Sequence, residues 1–207
     1  MMKDPRTHWQ HVHQAGDTTS FSWYEEVPSR SLELIRAART PRDAPVIDVG
    51  GGASKLVDHL LQEGFTDITV LDIAPAALEI AKDRLGAAAE GVHWIDTDIS
   101  SFRPARHYSM WHDRAVFHFL VDPLERTRYI DALRDGLSAQ GNLVLATFGP
   151  AGPTRCSGLG VERYSAADLT SLIGPEFRLM RSHLDEHPTP DGQKQQLLYG
   201  WWWRVDY

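Results

Sequence analysis

Val46-Ile47-Asp48-Val49-Gly50-Gly51-Gly52-Ala53-Ser54 decides how the rest of this chain is read. Apolar residues surround one acid, and three glycines follow at once. Leu56-Val57-Asp58-His59-Leu60-Leu61 then carries an amphipathic pattern. The order predicts a buried strand, a tight turn and a helix start. Glycine lets a backbone turn sharply and approach a ligand closely, because no Cβ stands in the way. A helix N-terminus adds free N–H groups and a positive dipole end. Such a turn suits a nucleotide-like ligand at the carboxyl end of a parallel sheet.

The details choose among ligands. A dinucleotide fingerprint is G-x-G-x-x-G. Gly50 and Gly52 fit it, but Lys55 stands at the third glycine position. A second strand, Ile68-Thr69-Val70-Leu71, ends in Asp72, 22 positions after Gly50. An acid there can accept both hydroxyl hydrogens of a ribose. Asp48, the G-x-G turn and Asp72 together resemble the class I S-adenosylmethionine (SAM) dependent methyltransferase family. The resemblance implies SAM as cofactor and S-adenosylhomocysteine as product. It places Asp48 near the methionine end and Asp72 on the ribose, with Gly50, Gly51, Gly52 and Ile73 beside the cofactor. The implied fold is an α/β three-layer sandwich with a mostly parallel, Rossmann-like, seven-stranded sheet whose last strand is antiparallel.

The chain has 207 residues, a length that suits one domain, read here as 1–207. Its 42% hydrophobic content suffices for a packed core. A net charge of −7, spread without long runs, argues against a nucleic-acid partner. Cys156 is the single cysteine, so no intrachain disulfide forms and a reducing cytoplasm is the simplest home. Met1 to Gly16 is polar and His-rich, unlike a signal peptide. No apolar run approaches membrane-spanning length. A monomer or a homodimer fits equally.

Residues 1–40 read as a helical cap over the cofactor pocket. Trp9, Phe21, Trp23 and Tyr24 stand there among polar residues. In the family such a segment often folds over SAM, which puts Trp23 beside the cofactor; the plainer reading is an aromatic anchor. Ser29 to Ala38 is a helix, and Gly64 ends the helix after the glycine turn. Pro75 opens the next helix, where its missing N–H costs nothing. Val92-His93-Trp94-Ile95 is strand three. The resemblance implies that Asp98 accepts from the adenine amino group, with Ile99 against the ring and Asp96 as fallback. Asp98 also suits a plain turn cap.

Tyr108-Ser109-Met110-Trp111 reads as strand four, with His112-Asp113-Arg114 at its carboxyl end. A helix is expected from about Pro123 to Gly136, a turn at Gly141-Asn142, and strand five over Leu143–Phe148. Gly149 to Gly160 is an irregular loop, where binding residues tend to sit. Ser165 and Asp168 have capping-box spacing. Phe177 to His187 and Gln195 to Val205 are strands six and seven, with Trp201-Trp202-Trp203 in the core and at the sheet edge.

In the family the end of strand four lies beside the transferred methyl. His112 is therefore the candidate base, also near the cofactor, with Asp113 or another acid orienting it. Alternatively, Asp113 and Arg114 pair and shape the next helix. Arg114, His118, Arg155 and Cys156 are the acceptor-side candidates, although His118 reads better as structural. Cys156 could meet a soft partner or be a small buried residue. Arg155 and Arg163 could hold a carboxylate or phosphate, or be surface charges. No metal site is expected: one cysteine builds none, and His8, His11 and His13 lie in a polar stretch. Strand four lacks the Asn/Asp-Pro-Pro-aromatic ending of enzymes that methylate DNA amino groups.

The leading reading is a SAM-dependent methyltransferase with a small-molecule acceptor. Its rivals are a protein-lysine methyltransferase, a nicotinamide oxidoreductase, and a SAM-binding protein without chemistry.

Overall fold

The computed structural model describes residues 4–205; Met1–Lys3 and Asp206–Tyr207, the ends of the 1–207 domain and 1–40 cap expectations, lie outside it. The elements run α1 (Pro5–Ala15), α2 (Ser29–Ala37), β1 (Val46–Val49), α3 (Leu56–Gln62), β2 (Ile68–Asp72), α4 (Pro75–Leu85), β3 (Val92–Asp96), β4 (Tyr108–Arg114), α5 (Pro123–Gly136), β5 (Leu137–Phe148), β6 (Arg155–Cys156), β7 (Leu159–Gly160), α6 (Ala166–Ile173), β8 (Phe177–Pro188) and β9 (Lys194–Arg204). One seven-stranded sheet has the order β3-β2-β1-β4-β5-β9-β8. Every pair from β3 to β5 is parallel. β9 runs antiparallel to both β5 and β8. This is the expected mostly parallel sheet with an antiparallel last strand.

Helices on both faces explain why all residues of β1 and β2 are buried. Side chains alternate along a strand, and two cores result. Trp111 of β4 packs with Tyr129 of α5 on one face. Met110 packs with Leu34 of α2 and Leu60 of α3 on the other. His112 and Asp113 inherit that alternation and point to opposite faces.

Two expectations change. The turn at Gly141-Asn142 is an irregularity inside a longer β5. There the register jumps from Leu137 opposite Tyr108 to Asn142 opposite Met110. Gln140 takes a left-handed φ of 59° in that excursion, so the chain bulges and rejoins β4 rather than ending the strand. The Trp201–Trp203 run does reach the core, with Trp202 fully buried, but it lies one strand in from the edge rather than at it. The irregular loop after β5 also holds a small hairpin. Ser157 (φ 51°) and Gly158 (φ 77°) form its two-residue turn between β6 and β7.

The N-terminal segment crosses the carboxyl ends of the strands. Arg6 of α1 pairs with Asp96 at the end of β3, at 2.6 Å. Gln10 Oε1 accepts from Ala76 N in the first turn of α4, at 3.0 Å. Trp9 meets Phe119, just past β4, edge-on with ring centres 5.0 Å apart. No described helix is long and apolar enough to cross a membrane.

Candidate active site

The glycine turn leaves β1 with Gly50 at φ 68° and Gly50 N donating to Leu71 O at 2.7 Å. Hydrogens are needed at the next two positions as well. A Cβ on Gly51 would run into the Asp48 carboxylate, and one on Gly52 into that of Asp72. The turn therefore wraps directly over both acids. Arg84 fixes its far side, donating to Ala53 O at 3.0 Å and Ser54 O at 2.7 Å.

Asp48 and His112 are neighbours across the β1–β4 pair. Asp48 Oδ1 lies 2.7 Å from His112 Nδ1, and His112 Nε2 lies 2.8 Å from Ser31 Oγ on α2. A carboxylate can only accept, so Nδ1–H donates to Asp48. Both ring nitrogens are thereby engaged inside the protein. Asp48 Oδ2 is buried with no hydrogen-bond partner. Asp72 Oδ1 accepts from Ala74 N at 2.8 Å. Burial, reinforced by the Asp48 charge, pushes the Asp72 carboxyl up to about 7.

On the β3 side, Asp98 Oδ1 accepts from Ser100 N at 2.8 Å, the turn cap expected as its alternative role. Ile99 behind it is buried, and Asp96 is held by Arg6. Trp23 stacks on Phe21 at 4.6 Å between ring centres and meets Trp9 edge-on at 5.8 Å. The aromatic segment is thus an anchored cluster above the strand ends.

Asp113 does not orient His112, because it projects from the other face of β4. It is fully buried, its Oδ1 accepts from Val116 N at 2.9 Å, and burial raises its carboxyl to about 6. The orienting acid is Asp48. Nor do Asp113 and Arg114 pair. Arg114 donates through Nε to Tyr199 Oη at 3.0 Å and through Nη1 to Trp23 O at 2.8 Å. Its Nη2 lies 3.1 Å from Glu25 Oε1. Glu25 also faces His187 Nδ1 at 3.3 Å, while His187 Nε2 lies 2.9 Å from Ser22 O. These groups clasp the N-terminal segment to the sheet.

His118 is fully buried, stacked on Phe148 with ring centres 4.3 Å apart. Phe148 N donates to its Nδ1 at 3.3 Å, and Nε2 has no hydrogen-bond partner. Burial, with a contribution from Arg114, lowers its pKa to about 3. Cys156 is half-buried, its Sγ 3.7 Å from Ser157 Oγ, and burial pushes its thiol up. Arg155 is exposed and donates to Gly158 O of its own hairpin at 2.7 Å. Arg163 donates to Gly152 O at 3.4 Å.

The charge of Arg114 acts on His118, while Arg155 turns back on its hairpin. Sequence reasoning missed Ser31, Glu25, His187 and Tyr199. It also missed Ala115, whose φ of 74° makes the sharp turn out of β4. A cleft of about 770 Å³ lined by Ser109, Asn142, Met180, Trp201 and Trp203 lies at the opposite end of the sheet and holds none of these groups.

A doubly wound sheet with a glycine turn folded over two acids defines an α/β enzyme that binds a nucleoside-bearing cofactor. A methyltransferase domain family matches residues 47–143. The chain is 30% identical over 202 residues to the EEF1A lysine methyltransferase 2 of Homo sapiens, covering 89% of this chain and 77% of that protein. It is 30% identical over 184 residues to a malonyl-[acyl-carrier protein] O-methyltransferase of Anoxybacillus flavithermus, covering 86% and 68%. Its fold superposes on the N-methyltransferase NodS of Bradyrhizobium japonicum, solved with S-adenosylhomocysteine. The TM-score is 0.76 at 19% identity, covering 98% of this chain and 100% of that one. The chain belongs to the class I SAM-dependent methyltransferase family. It is an enzyme whose cofactor is SAM.

The residues present fit that cofactor. Asp48 Oδ2 is a buried acceptor lacking a donor, and SAM carries an ammonium group. Asp72 lies under Gly52, where only a hydrogen separates backbone from carboxylate, and SAM carries ribose hydroxyls.

Proposed function

We propose that this enzyme methylates a small molecule and works as one domain with its first forty residues as the cap. The observation that carries this reading is the roof over the end of β4. Trp9 covers Phe119, the Trp23 carbonyl covers Arg114, and Ser22 covers His187. A small acceptor fits under such a roof better than a folded protein does. An acceptor of this kind also suits a cytoplasmic enzyme.

When bound, SAM supplies an electrophilic methyl group together with its own leaving group, so the protein mainly orients the reactants and excludes water. In this reading Asp48 Oδ2 accepts from the ammonium group and Asp72 from the ribose hydroxyls. Gly50, Gly51 and Gly52 admit the backbone close to the ligand, and Ile73, Asp98 and Ile99 border the base. Trp23 closes the pocket from above. We assign His112 a positioning role: its engaged nitrogens support holding Asp48 rather than removing a proton. Asp113 shapes the turn out of β4. Arg114, His118 and Cys156 line the acceptor side, with Arg155 at its mouth.

A second reading is protein-lysine methylation, favoured by the similarity to EEF1A lysine methyltransferase 2. One experiment separates the two. Purified protein is titrated calorimetrically with S-adenosylhomocysteine, with NAD as control, then incubated with methyl-labelled SAM and separated low-molecular-mass and protein fractions. Label in the small-molecule fraction supports the proposal, and label confined to protein replaces it with the second reading. Binding of NAD alone would reopen the family-level chemistry.

A further inference from the structure

Helix α1 is fastened over the ends of β2 and β3 by two of its side chains. Arg6 and Gln10 stand four positions apart and so share one helical face. Arg6 donates to Asp96 at the end of β3, at 2.6 and 3.2 Å. Asp96 is the register neighbour of Asp72 across the β2–β3 pair. Gln10 Oε1 accepts from Ala76 N at 3.0 Å. That N–H lies two residues beyond the Ala74 N–H, which Asp72 Oδ1 takes at 2.8 Å. One hold of α1 is therefore beside Asp72 in the sheet, and the other is in the turn that Asp72 itself caps. The two bracket the Asp72 carboxylate.

Only half of the Gln10 amide is used. A backbone N–H can only donate, so the amide atom that faces Ala76 is the oxygen. The NH2 group is on the other side and meets no acceptor among the described residues. Asp72 has the complementary lack. A carboxylate accepts but cannot donate. A ribose hydroxyl that gives its hydrogen to Asp72 keeps oxygen lone pairs that still need a donor. Arg6 is committed to Asp96, and the Ala74 and Ala76 N–H groups to Asp72 and Gln10. Of the side chains that α1 brings to this turn, Gln10 is the one with a donor to spare.

We propose that Gln10 is a cofactor-binding residue whose Nε2–H donates to a ribose hydroxyl oxygen of SAM, the hydroxyl whose hydrogen Asp72 accepts. This rests on the ribose assignment of Asp72 and adds its partner. The hydroxyl then both gives and receives a hydrogen bond. The two ends of one amide hold α4 and the ligand together, so the cofactor's ribose helps to keep α1 closed over it. A nucleoside that lacks the hydroxyl forfeits this contact.

The test is calorimetric titration of the full chain and its variants with S-adenosylhomocysteine and with the 2′-deoxy and 3′-deoxy analogues of that ligand. Gln10→Glu keeps an oxygen for the Ala76 N–H and loses both amide hydrogens. It should bind S-adenosylhomocysteine roughly three- to tenfold more weakly, the worth of one neutral hydrogen bond. The loss should nearly vanish for the analogue that lacks the hydroxyl Gln10 meets. Thermal unfolding of the free variant should stay close to that of wild type, because α1 keeps its hold on α4. Gln10→Ala, which also strands the Ala76 N–H, should lose at least as much affinity. Wild-type affinity in Gln10→Glu would overturn the proposal and leave Gln10 as a fastener of α1. An equal loss for S-adenosylhomocysteine and both deoxy analogues would overturn it too, since the change would then act through the cap or the added charge. Either result leaves Asp72 and the cofactor in place. Unchanged affinity in Asp72→Asn would instead remove the ribose assignment, and this proposal with it.

Discussion

His112 Nδ1 lies 2.7 Å from Asp48 Oδ1, and both side chains are almost wholly buried. Asp48 thus has one oxygen satisfied by β4 and one buried without a hydrogen-bond partner, the oxygen proposed to meet the cofactor's ammonium group. His112→Leu would strip a buried carboxylate of the donor that satisfies its Oδ1. Removing one partner of such a pair costs about 3–5 kcal/mol. Urea unfolding should show a loss of that order, with weaker binding of S-adenosylhomocysteine. Ser31→Ala removes only the outer hydrogen bond and should cost about 0.5–1.5 kcal/mol, with methyl transfer retained. If Ser31→Ala instead abolished transfer with cofactor affinity intact, a proton relay through His112 would be restored as the mechanism.

Asp72 predicts a pH dependence of cofactor binding. Its carboxyl titrates at about 7 in the free protein, because burial disfavours the charge. In the proposed assignment ribose hydroxyls donate to the carboxylate, so the ligand would select the deprotonated form. Affinity therefore rises with pH and levels off above the titration point. The dissociation constant for S-adenosylhomocysteine should be about tenfold higher at pH 6 than at pH 8. Asp72→Asn should weaken binding by about 1–3 kcal/mol and flatten the profile. Calorimetry at three pH values checks both points, and a flat wild-type profile would remove the ribose assignment.

Asp113 predicts a pH dependence of stability. Its folded-state carboxyl is raised from 3.8 to about 6 by burial. The folded protein therefore holds this proton more tightly than the unfolded chain. The contribution is fully present below pH 4 and is lost as pH rises through about 6. At about 1.4 kcal/mol per pH unit, the whole effect is about 3 kcal/mol. Asp113→Asn keeps the oxygen that accepts from Val116 N and has no such titration. The stability of wild type minus that of Asp113→Asn should fall by about 2 kcal/mol between pH 4 and pH 7. Parallel curves from chemical denaturation would show that Asp113 does not titrate in this way.

Local pattern carried the strand–turn–helix unit at Val46–Leu61, the acid ending β2 and the helix from Pro123. Each of these is a run of adjacent residues whose spacing mirrors its structure. Gly141-Asn142 misled because the dipeptide is turn-like on its own. Only pairing with β4 shows that the strand resumes. The partners of the site were out of reach for the same reason. Ser31 meets His112 across 81 positions, and His187 meets Ser22 across 165. Ser31 sits among Leu32, Leu34 and Ile35, where one serine carries no signal. Asp113 beside His112 looked like its partner, but strand alternation sends adjacent side chains to opposite faces.

Glu25 predicts the behaviour of the N-terminal clasp. Burial works against its charge, but His187 and Arg114 outweigh that and hold its carboxyl below the usual range. This stability is present above the unfolded carboxylate pKa and is lost as pH falls through the folded one. Glu25→Gln keeps the shape and removes the countercharge from Arg114, whose side chain is 13% exposed. The pair is partly open to water, so the cost should be about 1–3 kcal/mol, below that of a fully buried pair. The damage should be local. Amide exchange across residues 17–27 should quicken while α5 and the central strands stay protected. S-adenosylhomocysteine should dissociate faster, because the segment over its site is less firmly tied. Unchanged exchange in that segment would mean that the aromatic cluster of Trp9, Phe21 and Trp23 holds the roof without the charged clasp.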